Sequence, residues 1–554
     1  MVRSRYICWA LLYFLMSLTV PLVAQEAAFK YVVYFQDKDG TPYSLEDPQA
    51  FMSEKALERR TRYNIPLMEN DLPVAPAYIS QMEVLGYEVL SSSRWLNAIL
   101  IQSDQQLNIE EVENEPFVRV VTWVSQQIPG GRSNVSVEYN NTLFWQGQYN
   151  IDYGVTAGQI DLLNGQYLHN EGWQGDDMVI GVLDAGFSNV PEIDGFNSLF
   201  QESRLLATKD MVDYDDNVFE SSSHGTSVLS LMAGNITGEF LGTAPQASYI
   251  LVRTEDTGSE QLVEEFNYVL GLEYADQMGV DVINTSLGYT RFNHPEMDHD
   301  PLELNGDHLI ASKGADIGAS KGMLVINSAG NLGDRDWQYI SMPSDADSIL
   351  AVGSVNPFGQ RSGFSGIGHP NFPNIKPNVM SQGEEIAVLD VDGTISYGGG
   401  TSYSAPLVAG LAACLWQAFP EKNNMEIISA IERSSSQYFA PDKLMGYGIP
   451  DFQAAFALLY QEKFNANNLL SGISIFPNPF TSNISLTLPD DLDENIEINL
   501  INEMGQSLYG EMVDAANRKT VNISFSNISN LNNGIYFLQV KTIDKVFMFK
   551  MIKV

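Results

Sequence analysis

Cysteine is almost missing: the 554 residues contain two, Cys8 and Cys414. Cys8 falls in an apolar N-terminal stretch and Cys414 in the apolar run Ala412–Trp416. An internal disulfide framework and a zinc–thiolate cluster are therefore excluded, and Cys414 reads as a small buried hydrophobe. Basic residues are scarce as well, 30 Lys and Arg against 69 Asp and Glu, which gives a formal charge of −39. A field of that sign repels phosphate backbones, so nucleic acid is not expected as a partner. Long hydrophobic runs are lacking beyond the first 24 residues, so nothing else offers the ~20 apolar residues that span a bilayer. What is present, 44% hydrophobic and 18% charged residues, suits packed globular domains rather than a disordered or fibrous chain. At this length about three or four domains are expected.

Residues 1–24 read as a secretory signal peptide. Arg3 and Arg5 precede the apolar stretch Ile7–Val20, and Ala24 offers a small residue at the cut. Residues 25–127 carry a compact order of elements: a strand at Tyr31–Phe35, a helix at Ala75–Leu85, strands at Tyr87–Leu90 and Trp95–Ile101 separated by Ser91–Ser93, a short acidic helix at Gln105–Val112 and a strand at Phe117–Val124. The order β-α-β-β-α-β is ferredoxin-like. Residues 47–62 insert an extra polar helix containing Arg59 and Arg60. Residues 128–148, rich in Gly, Asn and Ser, read as a linker.

From 149 to 460 short apolar runs (Met178–Leu183, Tyr249–Val252, Val280–Asn284, Met323–Asn327, Ile349–Val352) alternate with helical stretches near 222–233, 260–278, 303–320 and 403–418. This predicts an α/β domain with a doubly wound, mostly parallel sheet. Residues 461–472 are polar and Asn-rich, a second linker. From 473 to 554 apolar and polar residues alternate in Ile484/Leu486/Leu488, Ile496/Ile498/Leu500 and Val521/Ile523/Phe525, which predicts a small all-β sandwich.

Three motifs fall where the α/β domain should carry chemistry. Val182-Leu183-Asp184-Ala185-Gly186 sets a carboxylate at the carboxyl end of a strand, where ligands of open sheets collect. Ser223-His224-Gly225-Thr226 opens a helix and holds one of only six histidines. Gly400-Thr401-Ser402-Tyr403-Ser404-Ala405-Pro406 starts another helix, whose positive end favours developing negative charge. Pro406 is expected in that helix's first turn, where its missing N–H costs little. Each motif alone is better explained as a cap or turn. Together they supply a nucleophile, a base and an orienting carboxylate, the set that acyl transfer requires. Ser328-Ala329-Gly330-Asn331 adds an amide donor of the kind that stabilises an oxyanion.

In the order Asp184, His224, Asn331, Ser402, with D-A-G, H-G-T, S-A-G-N and G-T-S-x-S-A-P around them, the 170–455 region resembles the subtilisin-like serine peptidases, or subtilases. Gly242-Thr243-Ala244-Pro245 and Val282-Ile283-Asn284-Thr285-Ser286-Leu287-Gly288 extend the likeness. The resemblance implies a subtilisin-like core and endopeptidase activity in which Asp184 orients His224, His224 is the base, Ser402 attacks and Asn331 stabilises the oxyanion. It also implies that Ser286, Leu287 and Gly288 pair with an extended substrate and that Ser328, Ala329 and Gly330 line a roomy primary pocket. Ser404-Ala405-Pro406 departs from the commoner Ala-Ser-Pro and leaves Gly-Thr-Ser intact. Residues 25–127 resemble the ferredoxin-like propeptides that chaperone and inhibit subtilases. Ile475-Phe476-Pro477-Asn478-Pro479-Phe480, Asn502–Gln506, Asn533–Tyr536 and the end Lys550–Val554 resemble the sorting domain of type IX secretion cargo in Bacteroidota.

These resemblances imply a secreted zymogen, exported by way of the periplasm and an outer-membrane secretion machinery, then released or attached to the outer surface. Its partners would be protein or peptide substrates and its own propeptide, with no transmembrane helix in the mature chain. The rival reading is a non-catalytic surface binding protein on the same scaffold; the presence of all four side chains speaks against it. No cofactor is needed for the chemistry and no metal site is assigned. His294–Asp300 holds metal-type side chains but lacks an i,i+4 histidine pair, and Pro295 breaks the helix. Asp210, Asp213, Asp215 and Asp216 lack the spacing of an EF-hand loop and read as a solvated loop, so nothing in the pattern supports a structural Ca²⁺.

Overall fold

The computed structural model describes residues 29–126, 151–470 and most of 472–553. The signal-peptide and 128–148 linker readings lie outside the described residues. The chain divides into two compact units that meet at Phe452/Gln453.

In the first unit, strands Phe29–Phe35, Glu88–Ser93, Ala98–Ser103 and Val118–Gln126 form an antiparallel sheet in which Phe29–Phe35 lies between the third and fourth. This is the ferredoxin-like order expected, with helices Glu54–Arg62 and Pro76–Val84 between the first two strands. The unbroken apolar run Tyr31–Phe35 has a physical reason. Tyr31, Val33 and Phe35 join the sheet's own core with Met82, Ile99 and Val121. Val32 and Tyr34, pointing the other way, belong to the core shared with Phe266, Leu270 and Ile283 of the neighbouring domain. Ser91–Ser93 are strand rather than separator. Serine usually favours turns, but here the Ser93 hydroxyl is engaged by the buried Glu273.

The α/β domain is built on a seven-stranded sheet, all neighbours parallel. Its order is Val379–Gln382, Leu350–Val355, Leu324–Ser328, Val282–Thr285, Val179–Asp184, Ser248–Arg253 and Leu205–Asp210. Helices cover both faces, Val263–Met278 packed with Ile310–Ser320 and His224–Ala233 packed with Thr401–Ala418. The chain winds from Val179–Asp184 to one edge, then crosses to Val282–Thr285 and winds to the other. The switch of direction lies at these two strands, where an open α/β sheet leaves a crevice at the carboxyl ends. Asp184 and Ser286 sit there. Sequence patterning did not find Leu205–Asp210, Val379–Gln382 or the hairpin Glu384–Leu389/Ile395–Gly399.

Helix Phe452–Leu470 continues through 461–470, the residues read as a connector. In the second unit a three-stranded sheet (Ser474–Phe476, Asn483–Thr487, Thr520–Ser524) and a four-stranded sheet (Ser507–Asp514, Asn495–Asn502, Gly534–Lys541, Val546–Lys553) enclose one core that includes Ile484, Leu486, Ile496, Ile498, Leu500 and Val521. These are the alternating residues that predicted a sandwich. No helix among the described residues is long and apolar enough to cross a membrane.

Candidate active site

Asp184 ends its strand fully buried, and its Oδ1 accepts from Ala185 N and from His224 Nδ1, both at 2.8 Å. Its Oδ2 has no partner among the described residues. Two glycines permit this approach. Gly186 has φ +139°, and a Cβ there would lie 2.5 Å from the Glu220 carbonyl oxygen. A Cβ on Gly225 would lie 2.4 Å from the Gly186 carbonyl oxygen, whose partner is the Gly225 N–H at 3.1 Å. The D-A-G and H-G-T motifs thus pack backbone to backbone. His224 starts its helix, is one-third exposed and stacks against Tyr403 at 6.1 Å between ring centroids. Burial alone would lower its pKa. The charge of Asp184 and the hydrogen bond to it outweigh that, and the pKa is raised from 6.5.

Ser402 is the second residue of the Thr401–Ala418 helix and 8% exposed. The helix begins at Thr401, so Pro406 is not in its first turn but four residues after Ser402. Having no N–H, Pro406 leaves the Ser402 carbonyl without its helical donor. Ser286 Oγ supplies one at 2.7 Å, and Ser402 Oγ in turn donates to the Ser286 carbonyl at 3.3 Å. Among the described residues no hydrogen bond joins Ser402 Oγ to His224; such bonds are often long or poorly aligned without substrate. Ser404 faces elsewhere: its hydroxyl donates to Ser381 O at 3.2 Å and it is fully buried.

Asn331 is fixed by Thr401, whose N–H and Oγ1–H donate to Asn331 Oδ1 at 2.8 and 3.0 Å. An amide NH2 cannot accept from a backbone N–H, so the oxygen of Asn331 faces Thr401 N, and Nδ2 has no hydrogen-bond partner among the described residues. Thr401 Oγ1 also accepts from Gly330 N at 3.0 Å, tying the S-A-G-N and G-T-S motifs together. Thr401, Tyr403 and Pro406 were not singled out as site-builders in the sequence, although all three lie inside the serine motif.

The expected substrate segments also converge. Gly288 and Gly330 both abut Ser341, which a Cβ on either would strike (2.1 and 2.5 Å from its Oγ). Leu287 O accepts from Asn327 Nδ2 at 3.3 Å. Ser328 and Ala329 are buried, with Ser328 O taking the Ser344 hydroxyl at 2.6 Å and Ala329 N bound to Val352 O at 2.9 Å. The set-aside clusters are occupied by protein partners. Asp210 and Asp213 pair with Arg253 at 2.7 and 2.6 Å, and His299 pairs with Glu265. Among the described residues no group of three or more His, Cys, Asp or Glu is placed to hold a metal ion.

Residues 175–448 match the model of the subtilase family, residues 30–140 that of the peptidase S8 propeptide domain of Bacteroidota, and residues 474–554 that of the secretion system C-terminal sorting domain. Subtilisin NAT of Bacillus subtilis subsp. natto is 27% identical over 375 residues, 67% of this chain and 83% of its own length. The thermophilic serine proteinase of Bacillus sp. (strain AK1) is 30% identical over 274 residues, 49% of this chain and 57% of its own length. The crystal structure of the epidermin leader peptide processing serine protease of Staphylococcus aureus shares the fold, with TM-score 0.55 and 15% identity over 78% of this chain and 99% of that one. The fold and site define a serine protease of the subtilisin class. The chain carries a subtilase-family protease domain between a propeptide domain and a secretion sorting domain. A sorting domain of that kind marks a protein that is secreted or attached to the outer cell surface.

Proposed function

We propose that the chain is a secreted serine endopeptidase, made as a zymogen, with Ser402 as nucleophile, His224 as general base and acid, Asp184 as orienting carboxylate and Asn331 as oxyanion donor. The observation that carries this reading is the 2.8 Å bond from His224 Nδ1 to the buried Asp184 Oδ1. It fixes the proton on Nδ1 and leaves Nε2 as the acceptor. Nε2 takes the Ser402 hydroxyl proton as Oγ attacks the scissile carbonyl carbon. The carbonyl oxygen becomes an oxyanion facing Asn331 Nδ2. Collapse breaks the C–N bond, and the departing amine takes the proton from His224. Water, deprotonated by His224, then hydrolyses the acyl-enzyme and restores Ser402. Ser286, Leu287 and Gly288 on one side and Ser328, Ala329 and Gly330 on the other receive an extended protein or peptide chain. The bond-breaking steps need no metal or cofactor. The N-terminal domain acts as the inhibitor, and cleavage within 128–148 separates it covalently.

The pH profile tests the base. Because only neutral His224 accepts the proton and its pKa is raised, kcat/KM should fall on the acid side with an inflection above 6.5. A profile flat to pH 4 would rule out a histidine base. The export reading has its own test. Removing residues 473–554 should leave peptidase activity intact in refolded protein but hold the chain in the periplasm of its host. Normal appearance of the truncated chain at the outer surface would contradict it.

A further inference from the structure

The polar helix inserted before the second strand of the propeptide domain has a use that the inhibitory reading does not require. Helix Glu54–Arg62 carries Arg59 and Arg60, both buried (4% and 3% exposed). They close, with Arg94 of the same domain, on one carboxylate of the protease domain, Asp276, which is 0% exposed. Arg59 Nη2 pairs with Asp276 Oδ1. Arg60 Nη2 reaches Asp276 Oδ1 and Oδ2 at 3.2 and 3.0 Å, and Arg94 Nη2 reaches Oδ2 at 2.9 Å. The rest of each side is matched to the other. Arg59 also donates to the carbonyls of Lys321 (Nε, 3.1 Å) and Val280 (Nη1). Lys321 of the protease domain meets Asp71 of the propeptide domain at 3.0 Å, and Asp71 also holds Arg60 at 3.1 Å. Glu273, one helical turn before Asp276, accepts the backbone N–H groups of Arg94 and Trp95 at 3.0 and 3.2 Å.

The shapes agree with the charges. Two left-handed glycines of the protease domain, Gly279 (φ +78°) and Gly322 (φ +92°), lie under this helix and the turn after it. A Cβ on Gly279 would come within 2.7 Å of Lys55 Cβ, and one on Gly322 within 2.6 Å of Ile65 Cδ1. Among the described residues, the side-chain cations that hydrogen-bond Asp276 all come from the propeptide domain. A neutral or reversed residue at any of these places would leave desolvated charge without its partner, which is how an interface rejects a wrong match.

We infer that the Glu54–Arg62 helix is a second docking element, an ionic clamp on Asp276 that restricts the propeptide domain to its own protease domain and keeps it bound after the connecting chain is cut. The partner surface it fits is an acidic helix face bounded by Gly279 and Gly322. This rests on the propeptide reading of the N-terminal domain, but its test does not use peptidase activity.

The test uses the full chain with Ser402→Ala and a site for a sequence-specific protease inserted within 128–148. After the cut, release of the propeptide domain is followed by size-exclusion chromatography over time, at low salt and in 1 M NaCl. The unsubstituted complex should co-elute in both, because buried pairs are little screened. Asp276→Asn should speed release by roughly 10²- to 10³-fold, as expected when one member of a buried hydrogen-bonded charge pair is removed. Arg60→Gln, made in the other domain, should speed it in the same direction and decides the matter if Asp276→Asn does not fold. Tyr63→Phe, which keeps the ring and removes the hydroxyl that donates to Pro420 O outside the clamp, should change release by less than about fivefold. Retention of the propeptide domain in Asp276→Asn or Arg60→Gln for as long as in the unsubstituted complex would overturn the clamp. Release of the unsubstituted domain on cutting at low salt would overturn it too. If the clamp holds but removing the domain from an active chain does not raise activity, the inhibitory reading fails instead.

Discussion

Ser402→Ala is expected to lower kcat on the order of 10⁶-fold with little change in KM, because members of a triad act as a unit and removing the nucleophile removes the whole path. Ser404→Ala is the control that gives this number meaning, since both serines lie in the same motif. The Ser404 hydroxyl is turned into the protein and bound to Ser381 O at 3.2 Å. Its loss should lower stability by about 1 kcal/mol, the worth of one ordinary hydrogen bond, and leave kcat within about tenfold. Steady-state kinetics of the two variants, each checked for intact folding by its thermal transition, measure both. If Ser404→Ala suffers the large loss and Ser402→Ala the small one, the nucleophile has been misassigned.

Asp184→Asn should have the second largest effect, about 10⁴ in kcat at neutral pH, by analogy with orienting carboxylates of triads elsewhere. The substitution is isosteric, and an amide oxygen can still accept from Ala185 N, so the strand end should survive. What is lost is the negative charge facing His224. That charge and its hydrogen bond hold the imidazolium pKa above 6.5 against burial, which pulls the other way. With the charge gone only burial remains. The acid limb of the residual activity should therefore move below 6.5, opposite in sign to the unsubstituted enzyme. A variant with full activity and an unmoved acid limb would show that Asp184 does not act through His224.

The candidate site was legible because its motifs are local. Asp184, His224, Asn331 and Ser402 each sit near the carboxyl end of a strand or the start of a helix, and each carries its own glycine or small neighbours. Ser404 could be set apart by helical geometry alone, two residues past Ser402 and rotated away. What could not be read depends on partners distant in the chain. Arg59 and Arg60 looked like part of a polar insert, and their burial comes from Asp276, 217 and 216 residues away. Ser91–Ser93 have the composition of a turn, but they pair with Leu100, Ile99 and Ala98 of the next strand, and Glu273, distant in the chain, takes up the Ser93 hydroxyl. The Leu205–Asp210 strand lies at the sheet edge with only its last residue buried, so it lacks the apolar run that revealed the central strands. Pro406 lies a turn deeper in its helix than the motif suggests. The consequence is a Ser402 carbonyl released from the helix to meet Ser286, which no local pattern shows.

In the proposed mechanism one serine of this chain is activated for attack, and covalent labelling reads that activation out. The chain is treated with a fluorophosphonate probe, digested and mapped by mass spectrometry. The adduct should fall on Ser402 alone, its formation should slow as pH drops through the His224 pKa, and Ser402→Ala should abolish it. An adduct on Ser404, or undiminished labelling of the Ser402→Ala chain, would contradict the assignment and the mechanism built on it.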